Sequence, residues 1–153
     1  MSARFLLLAC LAASACKVSP PRIDPQATVR FVTAEEGEVA PALVRRMAAV
    51  KDRRLMVFVS ASWCEPCQRF HQAVERGELT GKLGQLDLVA YDAEPDAERL
   101  LMSGYEARMI PAFTVPGPDG RATPLHTEGA PKGDAAVPDL VVRLAELLNA
   151  PSR

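Results

Sequence analysis

One stretch constrains this chain more than any other: FVSASWCEPCQRF, Phe58 to Phe70. It opens inside an apolar run, Leu55–Val59, with no polar alternation. Such a run is the pattern of a strand buried on both faces, in a sheet covered on each side. Two cysteines three residues apart, Cys64 and Cys67, follow Trp63 and enclose Glu65 and Pro66. A helix is expected to begin at the cysteines and to run through QRFHQAVERG, with Gly77 at its end. Two thiols therefore sit where a buried strand turns into a helix.

The flanking segments repeat the alternation of strand and helix. TVRFV (Thr28–Val32) reads as a first strand. Apolar residues at Val39, Leu43, Met47 and Val50 lie on one helical face, with Arg45, Arg46 and Lys51 near the helix end, where they complement its dipole. LDLVAYD (Leu86–Asp92) is a second buried strand. Asp96–Tyr105 reads as a helix with Leu100, Leu101 and Tyr105 turned inward. Ala112–Val115 is a short strand, followed by a Pro-, Gly- and Asp-rich turn and a hairpin partner, Thr123–Gly129. VPDLVVRLAELLN closes the chain as an amphipathic helix, with Leu140, Leu144, Leu147 and Leu148 on its buried side and Asp139 near its start. The order β, α, β, α, β, α, β, β, α predicts an α/β fold, a central mixed sheet with helices on both faces.

The chain has 153 residues, enough for one domain of ordinary size, and 48% of them are hydrophobic. A net charge of −1 gives no case for nucleic acid as a partner. The N-terminus reads differently from the rest. Arg4 and the short apolar run FLLLACLAA form the positive and apolar regions of an export signal, residues 1–15. Ala13 and Ala15 place small residues before Cys16, a pattern that resembles the lipobox of bacterial lipoproteins and also suits ordinary signal cleavage. On the first reading Cys16 is the lipid anchor and residues 16–27, rich in proline, tether it to a domain at 28–150. The expected location is then periplasmic or cell-surface, on a membrane of a Gram-negative bacterium.

The cysteines resolve accordingly. Cys10 leaves with the signal, Cys16 carries lipid, and Cys64 and Cys67 remain for chemistry. Export places them where disulfides persist. A thiol attacks a disulfide only as thiolate, and a free cysteine, with a pKa of about 8.5, holds little thiolate near neutrality. At a helix start, unpaired backbone N–H groups and the helix dipole favour negative charge. Cys64 is there the candidate nucleophile, the more exposed of the pair. Cys67, one turn further on, is the resolving thiol that displaces the bound partner. Pro66 fits the first turn, where its missing N–H costs nothing. Trp63 can shield one side of the sulfur.

Two rival readings use the same residues. A structural disulfide across so short a loop constrains the unfolded chain little. A metal site, for copper or zinc, would need further ligands. The chain offers His71, four residues after Cys67, and the remote His126.

WCEPC resembles the Trp-Cys-x-Pro-Cys motif of the thioredoxin superfamily. YEARMIP (Tyr105–Pro111) is similar to the family segment leading to its cis-proline, and Gly129 to the glycine of its last strand. The resemblance spans roughly Val29 to Asn149. It implies a thiol–disulfide oxidoreductase whose Cys64–Cys67 dithiol is the redox group, with no cofactor. It further implies that Trp63, Pro66, Ile110 and a cis Pro111 bind the substrate, with Ile110 offering its backbone to a peptide as an added strand. Partners would be protein disulfides and a thiol electron donor, met by a monomer. Within the superfamily the sequence most resembles the C-terminal periplasmic domain of the disulfide reductase DsbD.

The sequence departs from the family pattern at three positions. Phe58 stands where the family carries a buried acidic residue, Leu88 near the place of its lysine partner, and Gln72 at its helix proline. Glu65-Pro66 lacks the histidine of oxidising members, and Glu65 puts a negative charge beside Cys64, which favours reduction or isomerisation over oxidation. A metal chaperone on the same fold is the alternative.

Overall fold

The computed structural model describes residues 26 and 28–151. The export segment, Cys16 and most of the tether lie outside the described residues. Five strands form one sheet: β1 (Val29–Thr33), β2 (Arg54–Ser60), β3 (Leu86–Asp92), β4 (Ala112–Pro116) and β5 (Ala122–Glu128). Four helices connect them or follow them: α1 (Val39–Ala49), α2 (Glu65–Glu75), α3 (Ala97–Met102) and α4 (Ala136–Asn149). The strand order is β1-β3-β2-β4-β5. β1, β3 and β2 run parallel, and β4 and β5 are antiparallel to their neighbours. The sheet is therefore mixed, with β2 at its centre.

Side-chain alternation along the central strands divides the core in two. Met56, Phe58, Leu86, Leu88 and Phe113 face one side, where Phe70 and Val74 of α2 and Leu140 and Leu144 of α4 cover them. Val57, Val59, Val89, Tyr91 and Ala112 face the other, beneath Val39 and Leu43 of α1 and Leu100 of α3. This is the physical origin of the unbroken apolar runs: each strand must present an apolar side chain to both layers. Phe58, Phe70 and Phe113 meet in the first layer, with ring centroids 4.9 Å apart for Phe58–Phe113 and 5.0 Å for Phe70–Phe113.

Helix α2 ends where expected, and for a visible reason. Gly77 has φ +71°, and the N–H groups of Gly77 and Glu78 return to the carbonyls of Val74 and Ala73 at 3.0 and 2.9 Å. This double bond satisfies the last carbonyls of the helix and requires a left-handed residue, which glycine supplies without a Cβ penalty.

Several expectations are corrected. Helix α3 is only six residues long, so Leu101 points outward and is 56% exposed, while Tyr105 reaches the core from the loop that follows. Burial pushes the Tyr105 hydroxyl pKa up, and the hydroxyl donates to the Gly120 carbonyl at 2.8 Å. Leu147 and Leu148 are only partly buried, packed against the margin of the cluster that Leu140 and Leu144 enter fully. Asp139 does not cap α4; it pairs with Arg143 one turn on, at 2.6 Å. Among the described residues no helix is long and apolar enough to cross a membrane.

The buried strand β3 contains one buried charge. Asp87 is fully buried, and Arg30 and Arg53 both reach it, Arg30 Nε at 2.8 Å. Burial alone would raise the Asp87 pKa, but the hydrogen bonds from Arg30 and Arg53 outweigh it and hold the carboxyl below its usual range. Arg53 also donates to the carbonyls of Thr28 and Leu86, at 2.7 and 2.9 Å, so one cluster ties together the starts of β1, β2 and β3. Asp87→Asn is expected to cost about 2–3 kcal/mol at pH 7, since it leaves the buried end of Arg53 without its counter-charge. A carboxyl with a lowered native pKa contributes stability above its unfolded value of about 3.9 and loses it as pH falls through the native value. Urea unfolding at a series of pH values should therefore show the variant and the wild type converging in acid.

Candidate redox site

The cysteines stand at the C-terminal end of β2. The strand ends at Ser60, a short turn bonds the Cys64 N–H to the Ala61 carbonyl at 3.1 Å, and Cys64 becomes the N-cap of α2 with φ −80° and ψ 102°. Its carbonyl already accepts the first helical bond, from Gln68 N–H at 3.0 Å. Its sulfur acts as the capping acceptor: the Cys67 N–H donates to Cys64 Sγ at 3.3 Å. Pro66 lies in the first turn, where no N–H is needed. The sequence folds this way because a residue with an acceptor side chain, then an acid and a proline, is a helix-start pattern in its own right.

Cys64 and Cys67 form a disulfide with Cα atoms 5.2 Å apart. Here one expectation changes. Cys64 was expected to be the more exposed thiol, yet in the disulfide the two residues are 4% and 3% exposed. Each bonded sulfur covers the other, and both belong to the same apolar cluster as Phe58 and Phe70. Exposure therefore does not distinguish the two cysteines in this state. Their positions differ: Cys64 precedes the helix and receives an N–H, whereas Cys67 lies within the first turn.

The remaining expected residues gather around this pair. The register of β2 against β4 sets Val59 opposite Ala112, so Pro111 arrives at the end of β2 where the cysteine turn begins. The Ile110–Pro111 peptide bond is cis. Pro111 is buried and Ile110 half-buried. The Pro111 carbonyl accepts from the N–H of Gly129, at 2.8 Å, just beyond β5. Gly129 has φ +67°, a conformation that side chains disfavour, so glycine is needed to close this corner. Trp63 is 65% exposed, and its indole N–H donates to Glu94 at 3.0 Å, which fixes the ring on the surface beside the disulfide. Met109 is 60% exposed as well, and a Cβ placed on Gly129 would lie 3.5 Å from its sulfur.

Glu65 does not act as the free charge expected beside the sulfur. Its carboxylate accepts from Arg69 and from the backbone N–H of Gly133 at 3.3 Å. The Arg69 hydrogen bond holds the Glu65 pKa below the usual carboxylate range, and Arg69 also reaches Asp134 at 3.0 Å. The negative charge is present, but balanced by a guanidinium one helical turn away. Its effect on Cys64 is correspondingly reduced.

Phe58, Leu88 and Gln72 are the three positions at which the sequence departs from the family pattern. Phe58 and Leu88 are buried in apolar contact, and Gln72 is exposed on α2. The histidines do not converge on the cysteines as a ligand set. His71 stacks on Phe31 with centroids 4.2 Å apart, and His126 lies on β5 with Nδ1 3.1 Å from the Pro124 carbonyl oxygen. Among the described residues, no group of three or more His, Cys, Asp or Glu side chains is placed to share a metal ion.

Sequence reasoning missed Glu94, Gly133 and Arg143. Arg143 donates to the carbonyl of Glu128 at 3.1 Å and to that of Gly129, holding the corner next to Pro111 against α4. The only sequence signal for Glu94 is an acidic loop after a buried strand, and the other two carry none.

No protein-family model and no curated protein matches the sequence. Solved structures do. The short form of thioredoxin f from spinach chloroplast is similar at 13% identity and a TM-score of 0.51, over 83% of this chain and 98% of that one. A chain in the crystal structure of the complex of ferredoxin:thioredoxin reductase and thioredoxin f2 is similar at 17% identity and a TM-score of 0.50, over 79% of this chain and 96% of that one. The fold of this chain is the thioredoxin fold.

The Glu65–Arg69 pair gives a direct test of local electrostatics. Arg69→Ala leaves the Glu65 charge uncompensated and is expected to slow alkylation of reduced Cys64 at pH 7 by about two- to fivefold, whereas Glu65→Gln should leave it equal or slightly faster. Iodoacetamide labelling followed by mass spectrometry of the peptide measures both.

Proposed function

We propose that this protein is a thiol–disulfide oxidoreductase that reduces or isomerises disulfides of cell-envelope proteins. The observation that carries the reading is the Cys67 N–H donated to Cys64 Sγ at the start of α2. Among the described residues it is a donor aimed at a cysteine sulfur, and it favours negative charge on Cys64 once the disulfide is opened. The cis-proline corner beside it and the fixed Trp63 ring support a peptide-binding surface around that sulfur.

The chemistry balances within the dithiol. The Cys64 thiolate attacks a substrate disulfide, forms a mixed disulfide and expels one substrate thiolate. Cys67, as thiolate, then attacks Cys64 Sγ, forms the internal disulfide and expels the second. The substrate gains two electrons and the protein loses two. A thiol donor returns them by the reverse steps. One of the similar structures contains a thioredoxin bound to a reductase, which supports a protein donor of this kind. Ile110 and Pro111 present backbone to the substrate, with Trp63 and Pro66 shaping the approach.

The placement in the envelope rests on the N-terminal sequence: a signal at residues 1–15, Cys16 as lipid anchor, and a tether to the domain. The resemblance to the periplasmic domain of DsbD favours reduction as the direction.

Two measurements test these statements. Reduction of insulin by dithiothreitol should be accelerated by the wild type and fall to background with Cys64→Ser, while Cys67→Ser should accumulate a mixed disulfide with its partner, recoverable from the cell envelope under alkylating conditions. Background rates for the wild type would reject the enzyme reading. The full chain expressed in a Gram-negative host should partition into the detergent phase of a cloud-point extraction, and Cys16→Ser should move it to the aqueous phase. An aqueous wild type would reject the lipid anchor.

A further inference from the structure

Resolution requires Cys67 to lose its proton, and the surroundings seen so far do not take it. Cys67 is 3% exposed. Phe58, the residue on β2 facing the same layer, is apolar and stacked on Phe113. Glu65 is turned away from the sulfur to Arg69 and Gly133. A buried thiol with no base holds its proton, because burial disfavours the charged form.

An open cleft of about 400 Å³ has Cys67 in its lining. Phe58, Ser60, Cys67, His71, Glu75 and Asp92 are among its walls. His71 is four residues after Cys67 on α2, so the two side chains share one face, with Cβ atoms roughly 5–6 Å apart. Both side chains line this cleft, which is open to solvent, so a water can stand between them. The imidazole is held in place. It stacks on Phe31 at 4.2 Å, Phe31 lies 5.5 Å from Phe58, and Nδ1 is 3.3 Å from Glu75 Oε1. Glu75 thus stands as counter-charge to a proton gained by the ring. The charged groups lining the cleft with His71 are Glu75 of α2 and Asp92 at the end of β3; β1 adds the Phe31 ring and β2 adds Ser60 and Phe58. Asp92 Oδ1 already accepts from the Glu94 N–H at 3.0 Å.

We propose that His71, through water in this cleft, is the proton acceptor for Cys67 in the resolving step. The inference rests on the oxidoreductase reading and names the base that this reading lacks. The Cys67 proton passes to neutral His71. The Cys67 thiolate attacks Cys64 Sγ of the mixed disulfide, the new Sγ–Sγ bond forms, and the substrate thiolate leaves with the electron pair. The imidazolium returns its proton to the departing thiolate or to solvent. His71 touches neither substrate nor Cys64, so its effect should appear in the second half of the reaction alone.

Stopped-flow reaction of the reduced protein with the aromatic disulfide DTNB separates the halves. The first thionitrobenzoate released reports attack by Cys64, and the second reports resolution by Cys67. His71→Gln and His71→Phe, the latter retaining a ring to stack on Phe31, should leave the first phase unchanged and slow the second by roughly tenfold or more. In the variants the second phase should rise steeply with pH, because Cys67 must then lose its proton to water or hydroxide, whereas in the wild type the dependence should be shallower. Added imidazole should partly restore the second phase in His71→Ala. Wild-type rates and pH profile in both variants, or the same loss appearing in Asp92→Asn instead, would overturn the assignment. If the wild type showed no first phase faster than a free thiol, the oxidoreductase reading would fail, an outcome distinct from either of these.

Discussion

The site depends on one short contact: a backbone N–H at the start of α2 donated to the sulfur of the residue that caps the helix. Everything around it serves to hold that geometry. β2 delivers the chain to the right edge of the sheet because both of its faces are locked in packed layers. Pro66 follows without disturbing the first turn. Phe70 and Val74 then seat α2 on the sheet, so that the N–H groups at its start point at a fixed place.

A second feature shapes what the dithiol can meet. The loop ending in Pro111 and the corner at Gly129 are joined by a backbone hydrogen bond and braced by Arg143 from α4. Glu65 ties the first turn of α2 to Gly133, in the segment that follows the same corner. The active turn, the proline loop and the connection to α4 therefore form one linked rim around the sulfurs. Trp63 and Met109 are the large apolar side chains exposed on it. On the proposed reading, the backbone and apolar surface of this rim are what an extended peptide substrate would meet.

Much of this was legible in the sequence. The order of all five strands and four helices follows from apolar runs and helical periodicity, because burial on two faces keeps the middle of β2, Leu55–Val59, apolar. Gly77 marked the end of α2, since a left-handed residue is what that end needs. What was not legible lies in contacts between residues distant along the chain. Trp63 meets Glu94 across 31 positions and Glu65 meets Gly133 across 68, and no local pattern encodes either. Asp87 was hidden for a related reason: its counter-charges come from Arg30 and Arg53 on other parts of the chain, so its burial could not be told from its neighbours. The near-equal burial of Cys64 and Cys67 in the disulfide is set by the packing around both residues, which spacing alone does not determine.

The central claim is that the start of α2 stabilises negative charge on Cys64. Absorbance of the thiolate near 240 nm, followed against pH in the reduced protein with Cys67→Ser as background, tests it most directly. The account predicts ionisation well below the value of about 8.5 for a free cysteine, and a return to that value on unfolding. A thiol that ionised at or above that value in the folded protein would contradict it.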